Sequence, residues 1–511
     1  MRKRHMLAGA AAFVAAALVA ALGVAPAPAL ADPYTVVSAE ELQNAIADGE
    51  TEITLGEDIT ASITVPAGQT LTLNLGGHKL TNEAGKHTIT NQGNLTITGE
   101  GTVDNVSHAR GALFGDGGTT TINGGTFTRS AEAGTSATVS GGNSWYVINV
   151  ESGTLNMNAG DVRGTSGFSS CLRNNGTMNF NGGTVEQPNM IALKNEGTLV
   201  MNAGKVVSAN GLQNWGTATI NDGEIDGILT DFSWDETETG KLEMNGGSIS
   251  GDVIVVKYTG STSTPSVSIK GGSVGGSITA TAGTSANPEK NTPSDEVAQN
   301  ITVSSGQFSD SSVAKFVTSG NVTSYKQGKF YVNAADEVEN LAVATVEVNG
   351  QTIYFYNTDD ANTFAKENGK TADDVDRLVY FVDFETNGHG EFQTAVVKAG
   401  EAVGDQMPAV PEVEGYTVSG WYDGDAKVDA TFVPTSDVTL VAMWTKNPAK
   451  SDPKTDPKTD PKPADGDKKA DAPKKALPQT GDNTNMMVPV AIAVAGIVVV
   501  VAAVALRRRN N

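Results

Sequence analysis

Gly176-Thr177-Met178-Asn179-Phe180-Asn181-Gly182-Gly183-Thr184-Val185 is the stretch that decides the fold. Its alternation puts Met178 and Phe180 on one face and Thr177 and Asn179 on the other, as in a half-buried strand, before a glycine pair turns the chain. The same pattern returns in Gly153-Thr-Leu-Asn-Met-Asn-Ala-Gly160-Asp-Val162, Gly197-Thr-Leu-Val-Met-Asn-Ala-Gly204-Lys-Val206 and Gly216-Thr-Ala-Thr-Ile-Asn-Asp-Gly223-Glu-Ile225. Further copies centre on Gly101, Gly125, Gly247, Gly272 and Gly306, so successive marker glycines lie 24, 35, 23, 21, 19, 24, 25 and 34 residues apart. A period in the low twenties describes one coil of a solenoid, three short strands stacked on their equivalents in adjacent coils. Leu155, Met157, Leu199 and Met201 then point inward with Met178 and Phe180. Asn-Gly and Ala-Gly supply positive φ at the bends, and asparagines stacked from coil to coil are expected to hydrogen-bond along the axis. The two long intervals place outward loops at residues 130 to 145 and 284 to 300.

Composition agrees. A chain of 511 residues would allow about three or four ordinary domains, but glycine contributes 58 residues and aromatics only 6%. Glycine does not recur at every third position, which excludes collagen, and the Val-, Ile-, Thr- and Leu-rich stretches between glycines exclude wholesale disorder. The repeat region resembles the right-handed parallel β-helix domains, pectin-lyase-like in fold, of many bacterial surface proteins. Spacing alone also fits a left-handed β-helix or another β-solenoid. The expected fold class is therefore mainly β, with a right-handed parallel β-helix at residues 71 to 309 preceded by a cap and first coil at 32 to 70. In the cap, Ser38 with Glu41 three positions later, and Leu42, Ala45 and Ile46 on one side, predicts a short amphipathic helix covering the open solenoid end.

After Phe308 the period stops and aromatics gather at Tyr325, Phe330, Tyr331 and Thr352-Ile-Tyr-Phe-Tyr356. Residues 310 to 379 read as a terminal cap plus a small connecting α/β element, with a helix near Asp359 to Glu367. Residues 380 to 445 contain Gly415-Tyr416, Gly420-Trp421-Tyr422 and Ala442-Met-Trp444 in order, and this segment resembles the Listeria-Bacteroides repeat module, a small β-grasp-like unit of surface proteins. Trp421 and Trp444 are expected to fill its core, since so small a unit needs a large apolar side chain at its centre; sugar stacking is the other reading.

The chain ends carry addresses. Arg2, Lys3, Arg4 and His5 precede an Ala/Val/Leu run, and Ala29-Leu30-Ala31 supplies small residues before Asp32, so residues 1 to 31 read as a secretory signal peptide cleaved after Ala31. Residues 446 to 476 repeat Asp-Pro-Lys-Thr and form an unstructured stalk of about 90 Å when extended. Then come Leu477-Pro478-Gln479-Thr480-Gly481, an apolar run at 488 to 506, and Arg507, Arg508 and Arg509. The 19 apolar residues make roughly 29 Å of helix, enough for a transmembrane span with the arginines inside. The order of pentapeptide, apolar helix and basic tail resembles the sorting signals (residues 477 to 511 here) of Gram-positive proteins anchored to the cell wall by sortase. That resemblance implies that a sortase thiolate attacks the Thr480 carbonyl, releases Gly481 onward and leaves Thr480 joined to an amine of peptidoglycan. Sortase and peptidoglycan are thus the implied partners.

Removing both processed ends takes six of 35 basic residues and one of 58 acidic residues, leaving 29 and 57, a net charge of −28. Such a surface repels nucleic acid. A single cysteine and five histidines offer neither a disulfide framework nor a clustered metal site, and no cofactor motif is present. For catalysis, Asp222, Asp226, Asp231 and Asp235 form the best local acidic cluster, and Arg110, Arg129, Arg163, Arg173 and Arg377 are the arginines of the mature region. None reproduces a lyase or hydrolase motif. Cys171 has no neighbouring histidine among His78, His87, His108 and His389, and Ser170 lacks a nucleophile elbow. No catalytic residue is assigned. The expectation is a secreted, wall-anchored adhesin or binding protein for a host or cell-surface glycan or an extracellular protein. The alternatives are an extracellular carbohydrate-active enzyme, or a purely structural surface component.

Overall fold

A computed structural model describes residues 34 to 130, 146 to 164, 170 to 188, 190 to 284 and 290 to 448. The signal peptide with Ala31, most of the loop expected at 130 to 145, the stalk beyond residue 448, the sorting signal and the apolar run at 488 to 506 lie outside the described residues. Among the described residues no helix is long and apolar enough to cross a membrane. The chain divides into residues 1 to 447 and 448 to 511, and everything below concerns the first unit.

The repeat forms coils of three short strands, each paired in parallel with its equivalents before and after. In the coil quoted first these are Leu172–Asn174, Thr177–Phe180 and Thr184–Glu186, and the three stacks they belong to are called the first, second and third ladders. Register is kept residue for residue. Leu155, Met178 and Leu199 align in the second ladder, as do Met157, Phe180 and Met201, while Val162, Val185 and Val206 align in the third. All of these are fully buried, and each contributes about 2 kcal/mol of apolar burial that a three- or four-residue strand could not gain alone. Among the described residues the first and second ladders merge into one 21-stranded sheet, because Leu113–Ile122 and Ile148–Met157 run without a break from one into the other. The third ladder belongs to a 16-stranded sheet.

Glycine serves two bends for different reasons. The marker glycines from Gly101 to Gly306 all adopt left-handed φ, Gly183 at 90°, and from Gly125 onward the N–H after each bonds the marker of the coil before, as Thr184 does to Gly160 O at 3.0 Å. Gly197, at the bend between the first and second ladders, does not have a positive φ. What it needs is space, since a Cβ there would stand 2.1 Å from the carbonyl oxygen of Gly176 one coil away.

Two columns of amides bind the coils along the axis. The expected one is on the surface, where Asn158 Nδ2 donates to Asn123 Oδ1 at 2.8 Å and Asn181, Asn202, Asn221 and Asn245 continue the chain at 2.8–2.9 Å. The second is buried at the end of the first ladder. Asn174 donates to Asn195, Asn195 to Asn214 and Asn214 to Asp231, each at 2.7 Å, while second amide hydrogens reach the carbonyls of Thr198, Thr217 and Gly216. Each buried amide thereby satisfies the turn beside it.

Helix Ala39–Asp48 closes the amino-terminal end with Leu42, Ala45 and Ile46 buried, as expected. Ser38 Oγ accepts from Glu41 N at 3.2 Å, but the Glu41 carboxylate accepts from Val37 N rather than Ser38 N. At the other end the parallel stacking stops where Gly306–Phe308 pairs antiparallel with Lys329–Ala334. The strands Asn321–Lys326, Ala344–Val348 and Gln351–Phe355 follow, and helix Thr358–Glu367 packs Phe364 against Tyr325, Phe330 and Phe355 at ring distances of 5.3–5.8 Å. The last sheet runs Ala395–Lys398, Val379–Glu385, Val438–Lys446, Tyr416–Asp423, Ala426–Val428, with its first and last strands in sequence, Val379–Glu385 and Val438–Lys446, paired in parallel. Arg377 and the backbone N–H of Phe381 both bond Asp437 Oδ1, at 2.7 and 2.9 Å, where this sheet begins.

Candidate functional site

The four aspartates of the acidic cluster do not converge. Asp222 bonds the N–H of Gly223 at an exposed bend, and Asp226 faces Lys205 and Ser250 on the outside of the third ladder. Asp231 is buried in the core, and Asp235 caps a turn by accepting from Thr237 and Glu238. The scatter follows from their elements, since Asp222 lies in a bend, Asp226 on the third ladder, Asp231 on the first and Asp235 in the turn after it. Cys171 is equally remote from chemistry: it is buried, its Sγ donates to Val162 O at 3.3 Å, and burial pushes the thiol far above its ordinary value. Ser170 is half-buried beside it. Of the arginines, Arg110 bonds Gly85 O and Ala109 O, Arg163 pairs with Asp161, Arg129 is buried, and Arg377 holds Asp437. Trp421 packs in the core of the small module with its Nε1 on Pro408 O at 2.7 Å. Trp444 is half-buried with its Nε1 on Pro411 O at 2.8 Å.

Arg173 is the arginine placed on a face that can act. It points outward from the first ladder, accepted by Glu151 at 2.6 Å and Glu196 at 2.5 Å, and Lys194 in the next coil pairs with Glu196 as well. Register puts Arg173 opposite Lys194 and Lys194 opposite the neutral Gln213, so Arg173 and Lys194 with Glu151 and Glu196 make a stripe of charge that ends at Gln213. Tyr146 lies alongside, its hydroxyl raised to about 12 by burial and by the charge of Glu196, with Arg173 opposing.

The stripe runs into aromatic residues. Lys194 Nζ sits 4.4 Å from the ring centre of Trp215, and Trp215 is 4.7 Å from Phe232 and 5.8 Å from Trp234. Trp234 stands 4.0 Å from Tyr258. Phe232, Ile254 and Val256 are buried beneath them, forming an apolar cluster separate from the solenoid core. Trp234 remains 41% exposed, although its backbone is fixed: its N–H bonds Glu238 O at 2.8 Å across the turn that Asp235 caps. That turn is tied to the following loop through Thr262 on Glu236 and Ser261 on Ser233, at 2.8 and 2.9 Å. Glu238, half-buried here, has its carboxyl raised by burial and then by the negative charge of Glu196. Trp215 Nε1 is buried without a hydrogen-bond partner.

An exposed tryptophan held rigid over an apolar floor, beside acids and bases fixed on sheet strands, is a surface suited to stacking and polar recognition. On the third ladder a groove of about 210 Å³ is lined by Glu224, Ser248, Ser250, Ser273, Gln307 and Lys329 among others, with no aromatic ring. The sequence reading did not single out Trp215, Phe232, Trp234, Tyr258, Glu196 or Glu238. A signal existed at the residue before the recurrent glycine, which changes from Asn175 to Glu196 to Trp215 in successive coils.

No curated protein and no solved structure matches the chain. The small carboxyl-terminal sheet does have a match: residues 380–443, which include Gly415-Tyr416 and Gly420-Trp421-Tyr422, fit the family model of the Listeria-Bacteroides repeat domain.

Proposed function

We propose that this chain is a wall-anchored surface protein whose β-helix, right-handed and pectin-lyase-like, displays a binding face as an adhesin. The observation that carries the binding role is the position of Trp234, exposed on a capped turn over Phe232 and between Trp215 and Tyr258. Core packing does not require that exposure, because Phe232, Ile254 and Val256 already close the sheet surface. Display is supported by the order of Leu477-Pro478-Gln479-Thr480-Gly481, the apolar run and the three arginines, behind an amino-terminal export signal ending at Ala31. The similarity of residues 380–443 to a repeat of surface proteins agrees with it. The test is capture of the full chain on arrays of glycans and extracellular-matrix proteins. Specific capture that W234A weakens supports the reading, and absence of capture on both arrays overturns it.

A second reading, hydrolysis of a polysaccharide, is favoured by one observation. Glu196 is held by two cations while Glu238, within reach of its charge, has a raised carboxyl, an asymmetry of the kind that separates a base from an acid. Turnover of polysaccharide by the full chain, abolished by both E196Q and E238Q, would establish it.

A further inference from the structure

Resting on the binding role proposed above, we propose that the outer face of the first ladder between Arg173 and Tyr258 takes an uncharged glycan, one pyranose ring stacking on Trp234 and a neighbouring hydroxyl bonded to the Glu238 carboxyl. The ligand class follows from three features of the face.

The first is its chemistry at the aromatic end. A pyranose ring presents an apolar face of C–H bonds and a rim of hydroxyls, so it needs a flat ring partly open to solvent and polar groups beside it. Trp234 supplies the ring, and its turn is fixed before any ligand arrives, by Asp235 from within and by Glu236 and Ser233 through the 261–263 loop. Ordering that loop therefore costs little on binding.

The second is charge. Glu151, Glu196 and Glu238 lie beside Arg173 and Lys194, and both cations already hold carboxylates. A uronate, sialate or sulfated chain would bring further negative charge to an acidic face whose cations are engaged. A cationic ligand is disfavoured at the aromatic end, where Lys194 already occupies a position over Trp215.

The third is the form of the surface. Asn175, Glu196, Trp215 and Phe232 follow one another at equivalent positions of successive coils, as the register of the residues before them shows. Each step is one inter-strand spacing of about 4.8 Å, so the polar and aromatic groups lie in a row suited to a chain of sugars rather than to a single one. Glu196 lies toward the amino-terminal end of the row, and Glu238 and the stacking ring lie toward the other.

The test uses the purified full chain and neutral hexasaccharides of glucose, mannose and N-acetylglucosamine, with hexagalacturonate as the anionic probe. Binding is followed by calorimetry and by tryptophan fluorescence. At least one neutral hexasaccharide is expected to bind and to change the tryptophan signal. W234A should weaken it at least about tenfold, and E238Q should weaken it as well. W234F, which keeps an aromatic face, guards against loss of fold and should retain intermediate affinity with an unchanged unfolding midpoint. Binding of hexagalacturonate equal to or tighter than every neutral probe overturns the assignment, as does neutral binding that W234A leaves intact. If no neutral probe binds while array capture of a protein or an anionic glycan persists, the glycan class proposed here falls and the adhesin reading stands. If array capture fails too, both fall.

Discussion

Asn214 donates its side-chain amide to Oδ1 of Asp231 at 2.7 Å, and the buried column stops at that contact, because the next residue in register is Val255. Asn214 uses its second amide hydrogen on Gly216 O and so fastens a two-residue bend. Asp231 has no amide to give, its Oδ2 has no partner, and the short bend is replaced by residues 232 to 240, which carry Trp234. One change from amide to carboxyl thus coincides with the place where the coil opens into a surface loop.

Stability should fall as pH rises from about 4 to about 8. Burial raises the Asp231 carboxyl to about 8, with the Asn214 amide opposing, whereas in an unfolded chain it titrates near 4. The native state therefore carries no ionisation penalty below about pH 4, acquires it progressively between 4 and 8, and bears all of it above, on the order of a few kcal/mol. D231N should remove this slope, so that unfolding midpoints measured from pH 5 to 9 are flatter and higher at the alkaline end. An unchanged slope would refute it. His87 acts on the acid side: burial first, then the charge of Arg110, lower its imidazole to about 4, and its contribution should be intact above pH 6.5 and lost as pH falls toward 4.

The two amide columns should differ in energetic weight. N195A strips a buried donor from Asn214 Oδ1 and from Thr217 O and should cost on the order of 2 to 3 kcal/mol in denaturant titration. N202A breaks only solvent-exposed contacts to Asn181 and Asn221 and should cost under about 1 kcal/mol. Equal losses would show that burial does not set their value.

Close approach, rather than left-handed geometry, should dominate the glycine requirement. G197A must push adjacent coils apart, because its methyl would meet Gly176 O at 2.1 Å, and a loss of several kcal/mol is expected. G68A has a left-handed φ of 82° but open surroundings, and should cost about 1 to 2 kcal/mol. Thermal unfolding of the two variants makes the comparison.

Wall linkage, as an element of the proposed function, makes a cell-biological prediction. T480A should shift the protein from the cell-wall fraction to the membrane or medium. Covalent wall linkage that survives the substitution would disprove Thr480 as the attachment point.

Much of this fold was legible because the solenoid repeats one local rule. The alternation in Thr177 to Phe180 gave the buried face, the spacing of marker glycines gave the coil, and Ser38 with Leu42, Ala45 and Ile46 gave the capping helix. The surface asparagine column followed from the same spacing. The buried column was harder to see, because Asn174, Asn195 and Asn214 look like ordinary bend residues. Only their recurrence two places after Leu172, Leu193 and Leu212, with Asp231 after Leu229, marks them as inward. The aromatic face was less legible still. Trp215 sits in the two-residue bend and is readable from register, but Trp234 and Glu238 arrive through a loop whose path is set by side-chain bonds from Asp235 and Glu236 rather than by any period.

The ladders also determine how such a molecule would answer a pull. Their backbone hydrogen bonds run along the stacking direction, coil to coil, so tension along that direction loads them end-on and a few at a time. Most coils span 19 to 25 residues, and one peeled from the end would release on the order of 60 to 90 Å of chain in place of a layer about 4.8 Å thick. A protein held at its carboxyl end and gripped near Trp234 would lengthen stepwise under drag, absorbing work as a tether before its hold is lost.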